Sequence, residues 1–276
     1  MNSDSDDLIS RNVAAFGMMD QIDTGGAAPT PGEIEFVQAY VAPGPLDEAM
    51  LARAVDPERG AARRAKEETR LRTDWAALNQ YRDANAALRR RSTNVVFIGD
   101  SLTEFWQAAH PDLFADGTVN RGISGQTSPQ ILLRFMADVV ALRPKVVHLL
   151  CGGNDIAGNT GPTTPQDYKN NILAMLDLAA AGRIEVVIGS LTPFRQAPWS
   201  PKLGDARPRI AELNAWLAEV ATSRGLVFAD YHGALAGADG AMIEDYTRDG
   251  VHPTRAGYDV MRPIAEAALA LALARP

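Results

Sequence analysis

The stretch NVVFIGDSLTEFW, residues 94–106, contains an apolar run that stops abruptly at Gly-Asp-Ser. The run consists of β-branched and apolar residues without polar alternation, which predicts a strand buried on both faces. Ser101 would then stand at the carboxyl end of that strand. A serine in this place is either a helix cap or a nucleophile, and the rest of the chain has to decide between the two.

Four further segments have the same strand pattern, and helical segments separate them. The predicted strands cover residues 117–122, 145–153, 184–191 and 226–231. Helices are predicted over residues 66–91, 164–182 and 207–225, and a last helix after Thr254 should kink or restart at Pro263. This alternation predicts an α/β fold, a three-layer α/β/α sandwich with a mainly parallel five-stranded sheet. Sites in such sheets form beyond the carboxyl ends of the strands.

Composition and charge exclude several classes of protein. The chain has 276 residues, a net charge of −7 and one cysteine, so it forms no internal disulfide. Residues 1–50 carry nine acids and one base, and a near-neutral body behind an acidic start argues against nucleic acid as a partner. No stretch is long and apolar enough for a membrane span. We expect a cytoplasmic protein, or a secreted or periplasmic one if a signal peptide has been removed.

The composition also divides the chain into two parts. Residues 1–60 are predicted to be an acidic extension rich in Gly, Pro and Ala, followed by one domain over residues 61–276. Residues 1–60 match no known pattern. They could form a lid, a tether or a dimer contact, and a homo-oligomer built through this extension is one expectation.

A serine nucleophile needs a base, and the chain has four histidines to supply one: His110, His148, His232 and His252. Asp249 precedes His252 by three residues in a loop before the last helix, a spacing that can bring a carboxylate to Nδ1 of the imidazole. Asp230 stands two residues before His232, and spacing alone does not exclude that pair. His148 lies in a buried strand and is predicted to be a core residue. His110 is a weaker rival for the role of base.

Donors are also needed where negative charge develops on a substrate oxygen. The glycine at Gly125 lets a backbone N–H approach a substrate, Asn154 can offer a side-chain amide, and the amide of Ser101 is a third donor. Asp100 and Asp155 lie beside these positions. We predict that they accept hydrogen bonds that pin the loops, because a second charge near an oxyanion would oppose catalysis.

Three aromatic residues are candidates for a substrate pocket, because they follow or lie in loops at the predicted active edge. These are Trp106, Phe194 and Trp199, and ordinary core packing is the alternative for each of them. Cys151 ends a buried strand beside two glycines, so it is predicted to behave as a small buried hydrophobe and not as a nucleophile.

Four short blocks of the chain resemble the SGNH hydrolases, a superfamily that includes the GDSL esterases and lipases. The blocks are GDSL at 99–102, SG at 124–125, GGND at 152–155 and DGVHP at 249–253. All four occur in the family's order, which is a specific signal, and the resemblance covers about residues 66–276. It implies a flavodoxin-like fold and hydrolysis of carboxylic esters without a metal or cofactor.

The resemblance also assigns roles residue by residue. Ser101 is the expected nucleophile, and its amide forms the expected oxyanion hole together with Gly125 and Asn154. Asp249 and His252 complete the expected triad, because only this histidine lies in the family's last block. The serine of an α/β-hydrolase would instead need a Gly-x-Ser-x-Gly elbow, which GDSLT lacks.

We therefore expect a serine esterase that hydrolyses small-molecule or carbohydrate esters through an acyl-enzyme. Acetyl is the expected acyl group, because the loops after the nucleophile are short and no long apolar cap is evident. A carbohydrate O-acetyl esterase is the more specific alternative. A metal-dependent phosphoesterase would need paired His and Asp ligands that the sequence lacks, and a non-catalytic binding module would not need the complete set of Ser, His, Asp and Asn.

Overall fold

The centre of the protein, seen in a computed structural model that describes residues 29–88 and 93–275, is a parallel sheet of five strands. The strands are β1 (Val95–Gly99), β2 (Thr118–Gly122), β3 (Val146–Leu150), β4 (Glu185–Gly189) and β5 (Val227–Ala229). Their order across the sheet is β2-β1-β3-β4-β5, and every neighbouring pair is parallel. This is the strand order of flavodoxin-like folds, so the predicted fold class is confirmed.

The strand order changes direction at β1. This strand pairs with β2 on one side and with β3 on the other, so that Gly99 lies opposite both Gly122 and Leu150. A crevice opens outside the carboxyl ends of the strands at such a switch point, and ligands bind there in this class of fold. Ser101 follows the end of β1 directly and therefore lies at this crevice.

Helices cover both faces of the sheet. Over residues 29–88 and 93–275 the α-helices are α1 (Pro31–Val41), α2 (Glu48–Val55), α3 (Pro57–Thr73), α4 (Arg82–Leu88), α5 (Ser101–Ala109), α6 (Ser128–Asp138), α7 (Gly153–Ala157), α8 (Pro165–Ala181), α9 (Arg207–Ser223), α10 (Tyr231–Leu235) and α11 (Arg255–Leu273). Buried side chains of α6, α8 and α9 form a core on one face. Those of α1, α5 and α11 form a core on the other face, which completes the three layers.

The two cores explain why the strands show no polar alternation. Successive side chains of a strand point to opposite faces of a sheet. Val96 and Ile98 of β1 therefore enter one core, while Val95 and Phe97 enter the other, and all four are almost fully buried. Both faces of the strand thus require apolar residues.

Three of the predicted helices, α8, α9 and α11, agree closely with the bounds in the structure. The helix α8 begins after Thr164, whose hydroxyl accepts from the Asp167 N–H while that aspartate accepts from the Thr164 N–H. This reciprocal capping satisfies N–H groups that have no partner within the helix. The last helix, α11, continues through Pro263 without a break, so of the two outcomes predicted there, a kink or a restart, the restart is wrong.

The continuous helix predicted over residues 66–91 is also wrong. The structure has α3 and α4 instead, separated by turns over residues 74–81, and residues 89–92 lie outside the described part. The carboxylate of Asp74 accepts from the N–H groups of Leu78 and Asn79, and Ala77 has a φ of 54°. Local bonds from an aspartate side chain compete in this way with helix hydrogen bonds.

The N-terminal part contributes packed helices as far as it is described. α1 packs against α5, and its Tyr40 and Val41 are buried in the core on that face. α3 crosses residue 60, which is the predicted domain boundary. Residues 1–28 of the predicted extension lie outside the described residues.

No helix within residues 29–88 and 93–275 has both the length and the apolar character that crossing a membrane requires.

Candidate active site

The nucleophile candidate lies at a tight junction between β1 and α5. Asp100 caps the helix, because its Oδ1 accepts from the Leu102 N–H at 3.0 Å, and Ser101 is the first helical residue. A Cβ added at Gly99 would lie 2.1 Å from the Leu150 carbonyl oxygen. Only glycine fits such a close approach, so the glycine of the GDSL block lets the strand end and the helix begin within one turn.

Ser101 is joined to His252 and Asp249 by a chain of hydrogen bonds. The distance from Ser101 Oγ to His252 Nε2 is 2.9 Å, and that from His252 Nδ1 to Asp249 Oδ2 is 2.7 Å. The second oxygen of Asp249 accepts from the backbone N–H groups of Val251 and His252. An imidazole held in this way has Nδ1 protonated and Nε2 free to accept a proton from the hydroxyl.

The electrostatics of Asp249 suit this role. Burial favours the neutral acid, but hydrogen bonds from His252 and Val251 outweigh burial and hold the pKa of Asp249 well below its usual range. The carboxylate is therefore charged at neutral pH and can stabilise an imidazolium beside it.

Two aromatic rings pack against the imidazole of His252. The ring of Phe105 is stacked on it, with centroids 5.2 Å apart, and the ring of Trp199 lies 5.6 Å away. Phe105 was missed in the sequence, although it lies four residues after Ser101 and therefore on the same side of α5. These contacts restrict the imidazole to an orientation that faces the hydroxyl.

The predicted oxyanion donors come together on the other side of Ser101. Asn154 Nδ2 donates to the carbonyl oxygen of Gln126 at 3.0 Å and, over a longer 3.3 Å, to Asp100 Oδ2. Gly125 has a φ of 78°, which favours glycine. In the part of the chain that the structure describes, the N–H groups of Ser101 and Gly125 have no acceptor, so both are available to donate.

Asn159 links this side of the site and was also missed in the sequence. Its Nδ2 donates to Asn154 Oδ1 at 2.8 Å and to the carbonyl oxygen of Gly125 at 3.2 Å. Its Oδ1 accepts from Trp199 Nε1 at 2.9 Å. Asn159 follows Gly158, which ends α7 in a left-handed conformation. The last glycine of GGNDIAGN is the sequence signal for that helix end, and Asn159 stands directly after it.

A cleft opens beside Ser101. It is lined by Asp100, Ser101, Leu102, Leu150, Cys151, Gly153, Asn154, Leu191, Thr192, Phe194, Trp199, Val251 and His252. Phe194 is buried, with 2% of its surface exposed, whereas Trp199 is 45% exposed. The structure thus places two of the three predicted pocket aromatics against the cleft.

The prediction that Trp106 lines the pocket is wrong. Its side chain has no exposed surface and packs against Phe97 and Tyr258, with centroids 5.7 and 5.4 Å apart. Trp106 is five residues beyond Ser101, which places the two about 140° apart around α5. The tryptophan therefore points into the core while the serine points into the cleft.

None of the three other histidines hydrogen-bonds to Ser101 in the described residues. His110 is buried and bonds to a carboxylate on α11. His148 is fully buried in β3, and burial lowers its pKa to about 3, as suits a neutral core residue. Asp230 accepts from the backbone of its own turn, and no bond joins it to the ring of His232. The rival pair considered in the sequence is therefore not assembled.

The remaining polar candidates have structural partners. Both oxygens of Asp155 accept from the Ser128 N–H, which ties α7 to α6. Burial raises the pKa of Asp155 to about 6 and that of Asp100 to about 7. Cys151 is buried, and burial raises the pKa of its thiol well above the usual range.

Across residues 29–88 and 93–275, no three His, Cys, Asp or Glu side chains are grouped to hold a metal ion.

Comparison with known proteins gives the same result as the geometry. The chain matches the model of the GDSL-like lipase/acylhydrolase family over residues 97–260. A GDSL-like lipase from Bacteroides thetaiotaomicron is 39% identical, with a TM-score of 0.70, over 72% of this chain and 100% of that one. A Bacteroides fragilis protein assigned as an acylhydrolase is 40% identical, with a TM-score of 0.70, over 72% and 99% of the two chains.

A more distant structure shares the fold alone. It is an acetylxylan esterase from Geobacillus stearothermophilus, which is 18% identical over 66% of this chain and 96% of its own, with a TM-score of 0.51. No curated protein matches the chain. The match over residues 97–260 includes Ser101, Gly125, Asn154, Asp249 and His252. The chain therefore belongs to the GDSL-like lipase/acylhydrolase family of the SGNH hydrolases and is a hydrolase that acts on esters.

Proposed function

We propose that this protein hydrolyses carboxylic esters with small acyl groups, acetyl above all, through an acyl-enzyme on Ser101. The observation that carries the proposal is the chain of bonds from Ser101 through His252 to Asp249 at the edge of the cleft. A hydroxyl bonded to a neutral imidazole that is oriented by a carboxylate is the arrangement that activates serine for acyl transfer.

In the first half of the reaction, Ser101 Oγ attacks the ester carbonyl and His252 Nε2 takes its proton. The carbonyl oxygen becomes negatively charged and is bound by the N–H groups of Ser101 and Gly125 and by Asn154 Nδ2, which gives up its longer bond to Asp100 Oδ2. The tetrahedral species collapses when His252 returns the proton to the alkoxide, so that the alcohol leaves and the acyl group remains on Ser101.

In the second half, a water molecule takes the place of the alcohol. His252 accepts a proton from the water, the hydroxide adds to the acyl carbonyl, and the same donors bind the second oxyanion. When this species collapses, the carboxylic acid leaves and Ser101 recovers its proton from His252. Asp249 remains charged throughout and stabilises the imidazolium in each half.

The walls of the cleft support a short acyl group. Leu150, Leu191 and Phe194 line it and belong to the packed cores, with exposed fractions of 1–2%. Packed cores resist displacement, so the cleft cannot widen cheaply for a long acyl chain. An acetyl group needs no such displacement.

Trp199 supports a carbohydrate ester as the more specific substrate. It is 45% exposed at the cleft and is held by its bond to Asn159, so it presents a fixed apolar ring face beside Ser101. Sugar rings commonly stack on such exposed aromatic faces. An acetylated sugar could therefore place its acetyl group at Ser101 while its ring rests on Trp199.

A comparison of acyl chain lengths tests the proposal. We expect kcat/KM for p-nitrophenyl esters to fall from acetate through butyrate to octanoate, and the Ser101→Ala variant to lose turnover of all three. Activity should survive a chelator and end with a serine-directed organophosphate, whereas a metal-dependent enzyme would show the reverse. A preference for octanoate would contradict the small acyl group, and no turnover of any ester would favour a binding module.

The Phe194→Ala variant sharpens the test. Removing this ring enlarges the cleft, so kcat/KM for butyrate relative to acetate should rise about tenfold. The Phe114→Ala variant removes a phenylalanine that packs on Phe97, away from the cleft, and should leave the ratio unchanged. Equal changes in both variants would show that Phe194 does not set acyl length.

A further inference from the structure

The helix α1 contacts the loop that carries Asp249 and His252. It spans Pro31–Val41 and so lies outside the matched family region, residues 97–260. The contacts bring together residues more than two hundred positions apart in the chain. A helix that is not part of the family match therefore reaches the catalytic base.

The first half of this contact is made by Arg248, which directly precedes Asp249. Its guanidinium donates to the carbonyl oxygens of Tyr40 and Ala42 at 2.8 Å each, and to that of Gly44 at 2.5 Å. Carbonyl groups at the C-terminal end of a helix have no N–H donor within the helix and carry partial negative charge. A cation there satisfies them, so Arg248 fastens its own loop to the end of α1.

The second half is made by Tyr40. Its hydroxyl donates to the backbone carbonyl of His252 at 3.1 Å and accepts from the Arg248 N–H at 3.3 Å. Its ring is buried and stands nearly perpendicular to the His252 imidazole, with centroids 6.1 Å apart. Thr247 Oγ1 also donates to the His252 carbonyl, so Tyr40 is one of two donors that hold it among the described residues.

Tyr40 is suited to act as a permanent donor. Burial raises the pKa of its phenol above the usual value, and the nearby charge of Asp249 raises it further. The hydroxyl therefore keeps its proton over the working range of the enzyme. Its ring also contacts Phe105, with centroids 6.0 Å apart, and Phe105 is stacked on His252.

We propose that Tyr40 and Arg248 are positioning residues, through which α1 holds His252 in reach of Ser101. The inference rests on the proposed esterase function. It assigns the described part of the N-terminal region to the catalytic unit, in addition to the lid, dimer and tether roles considered from the sequence. Neither residue lines the cleft; both act through the backbone on either side of Asp249.

Conservative variants of the full chain test this. The Tyr40→Phe variant keeps the ring and removes the hydroxyl, and we expect kcat to fall about 3- to 10-fold with KM within about twofold. The Arg248→Gln variant loses the bonds of a charged donor, and kcat should fall about 10- to 100-fold, with Arg248→Lys between it and the wild type. The double variant should lose less than the product of the two single losses, because both residues act on one contact.

Matched controls separate positioning from a general loss of stability. Tyr231→Phe removes another buried hydroxyl, one that bonds to His148, and Arg224→Gln removes an exposed arginine that pairs with Asp177. Both controls should keep the wild-type kcat at a temperature where all variants are folded. If Arg248→Gln does not fold, Tyr40→Phe and Arg248→Lys carry the test.

Two readouts report on His252 itself. Its Nδ1 proton, shared with Asp249, should give a separate downfield NMR signal that broadens in Tyr40→Phe and stays sharp in Tyr231→Phe. Labelling of Ser101 by a fluorophosphonate should slow in the same proportion as kcat. An unchanged kcat and signal in Tyr40→Phe, or a change in KM alone, would overturn the inference. A wild type that turns over no ester would overturn the proposed function, and the NMR signal would still decide the role of Tyr40.

Discussion

The two sides of Ser101 are held in different ways. On the oxyanion side, Asn154 has an exposed fraction of 4% and is fixed by bonds from Asn159 and to the Gln126 carbonyl. On the base side, the side chains of His252 and Asp249 are 16% and 29% exposed. The first side is set by buried polar contacts inside the family domain. The second depends on contacts from α1. A more exposed catalytic histidine is thus held in place by an element from outside the family domain.

Arg134 shows how far the buried network extends beneath the oxyanion side. Its side chain has no exposed surface and donates to the Gly99 carbonyl at 2.8 Å and to Gln126 Oε1 at 2.6 Å. It also pairs with Asp138 at 3.0 Å. A buried charge is tolerable only when it is paired and hydrogen-bonded, as it is here, and such networks are rigid. The corresponding arginine on the base side, Arg248, is only partly buried, and its guanidinium bonds to backbone carbonyls and not to a buried side-chain network.

The largest expected effect comes from removing the base. The His252→Ala variant should lose on the order of 10⁴-fold or more in kcat, because Ser101 then lacks a proton acceptor. Adding Ser101→Ala should cause little further loss, since the two residues act as a unit. Steady-state kinetics with p-nitrophenyl acetate measure both. Independent, multiplying losses would contradict the proposed relay.

Removing the oxyanion amide should cost less. The Asn154→Ala variant should lose about 10²- to 10³-fold in kcat with little change in KM, because its amide bonds more strongly to the charged oxygen than to the ester carbonyl. The same assay measures this. A loss confined to KM would show that Asn154 binds the ground state only, and the comparison between the two sides would then fail.

Weakening the hydrogen bonds that hold the oxyanion donors in place should have a smaller effect. In Asn159→Asp the side chain can no longer donate to Asn154 Oδ1 and Gly125 O, so kcat should fall about tenfold. The Asn170→Asp variant makes the same exchange at an exposed site on α8 and should match the wild type. If Asn159→Asp also matches the wild type, the donors are held well enough by the remaining bonds.

The smallest expected effect concerns stability and pH. Burial raises the pKa of Asp100 to about 7, so between about pH 4 and 7 the folded state binds more protons there than the unfolded state. The contribution of Asp100 to the free energy of unfolding should therefore fall as pH rises through this window, by at most about 1.4 kcal/mol per pH unit. The buried His148, whose pKa is lowered to about 3, contributes in the opposite direction, so the effect of Asp100 is measured as a difference between variants.

The Asp100→Asn variant removes that titration. Its stability relative to the wild type should grow from about pH 4 to 7, and urea unfolding at several pH values measures the difference. The Asp155→Asn variant should show the same trend only up to about pH 6, because that is where burial places the pKa of Asp155. A difference that stays constant with pH would mean that Asp100 is charged while buried.

The sequence was most informative where local pattern and tertiary role coincide. Each buried strand carries apolar residues on both faces, so the parallel sheet was predictable, and the polar residues that follow strand ends marked the site. Trp106 and Phe105 show where this prediction fails. The two aromatic residues are adjacent, and their angle around α5 decides that Phe105 contacts His252 while Trp106 packs in the core. The sequence pattern did not resolve that angle.

Contacts between distant segments were not predictable from the sequence. Nothing local to Tyr40 indicates that its hydroxyl meets the backbone of His252, because that contact depends on how α1 packs on α5. The break between α3 and α4 was missed for a related reason. An apolar period continued through Asp74, while the side chain of that aspartate supplied the competing turn.

The bond between Tyr40 and His252 spans 212 positions of the chain. Contacts between such remote segments form late, since much of the intervening polypeptide has to be ordered before they become favourable. Helical content can thus return early on dilution from denaturant, while full catalytic activity waits for the two distant segments to meet. A refolding sample would pass through a stage that is largely structured and cleaves esters more slowly than the native enzyme.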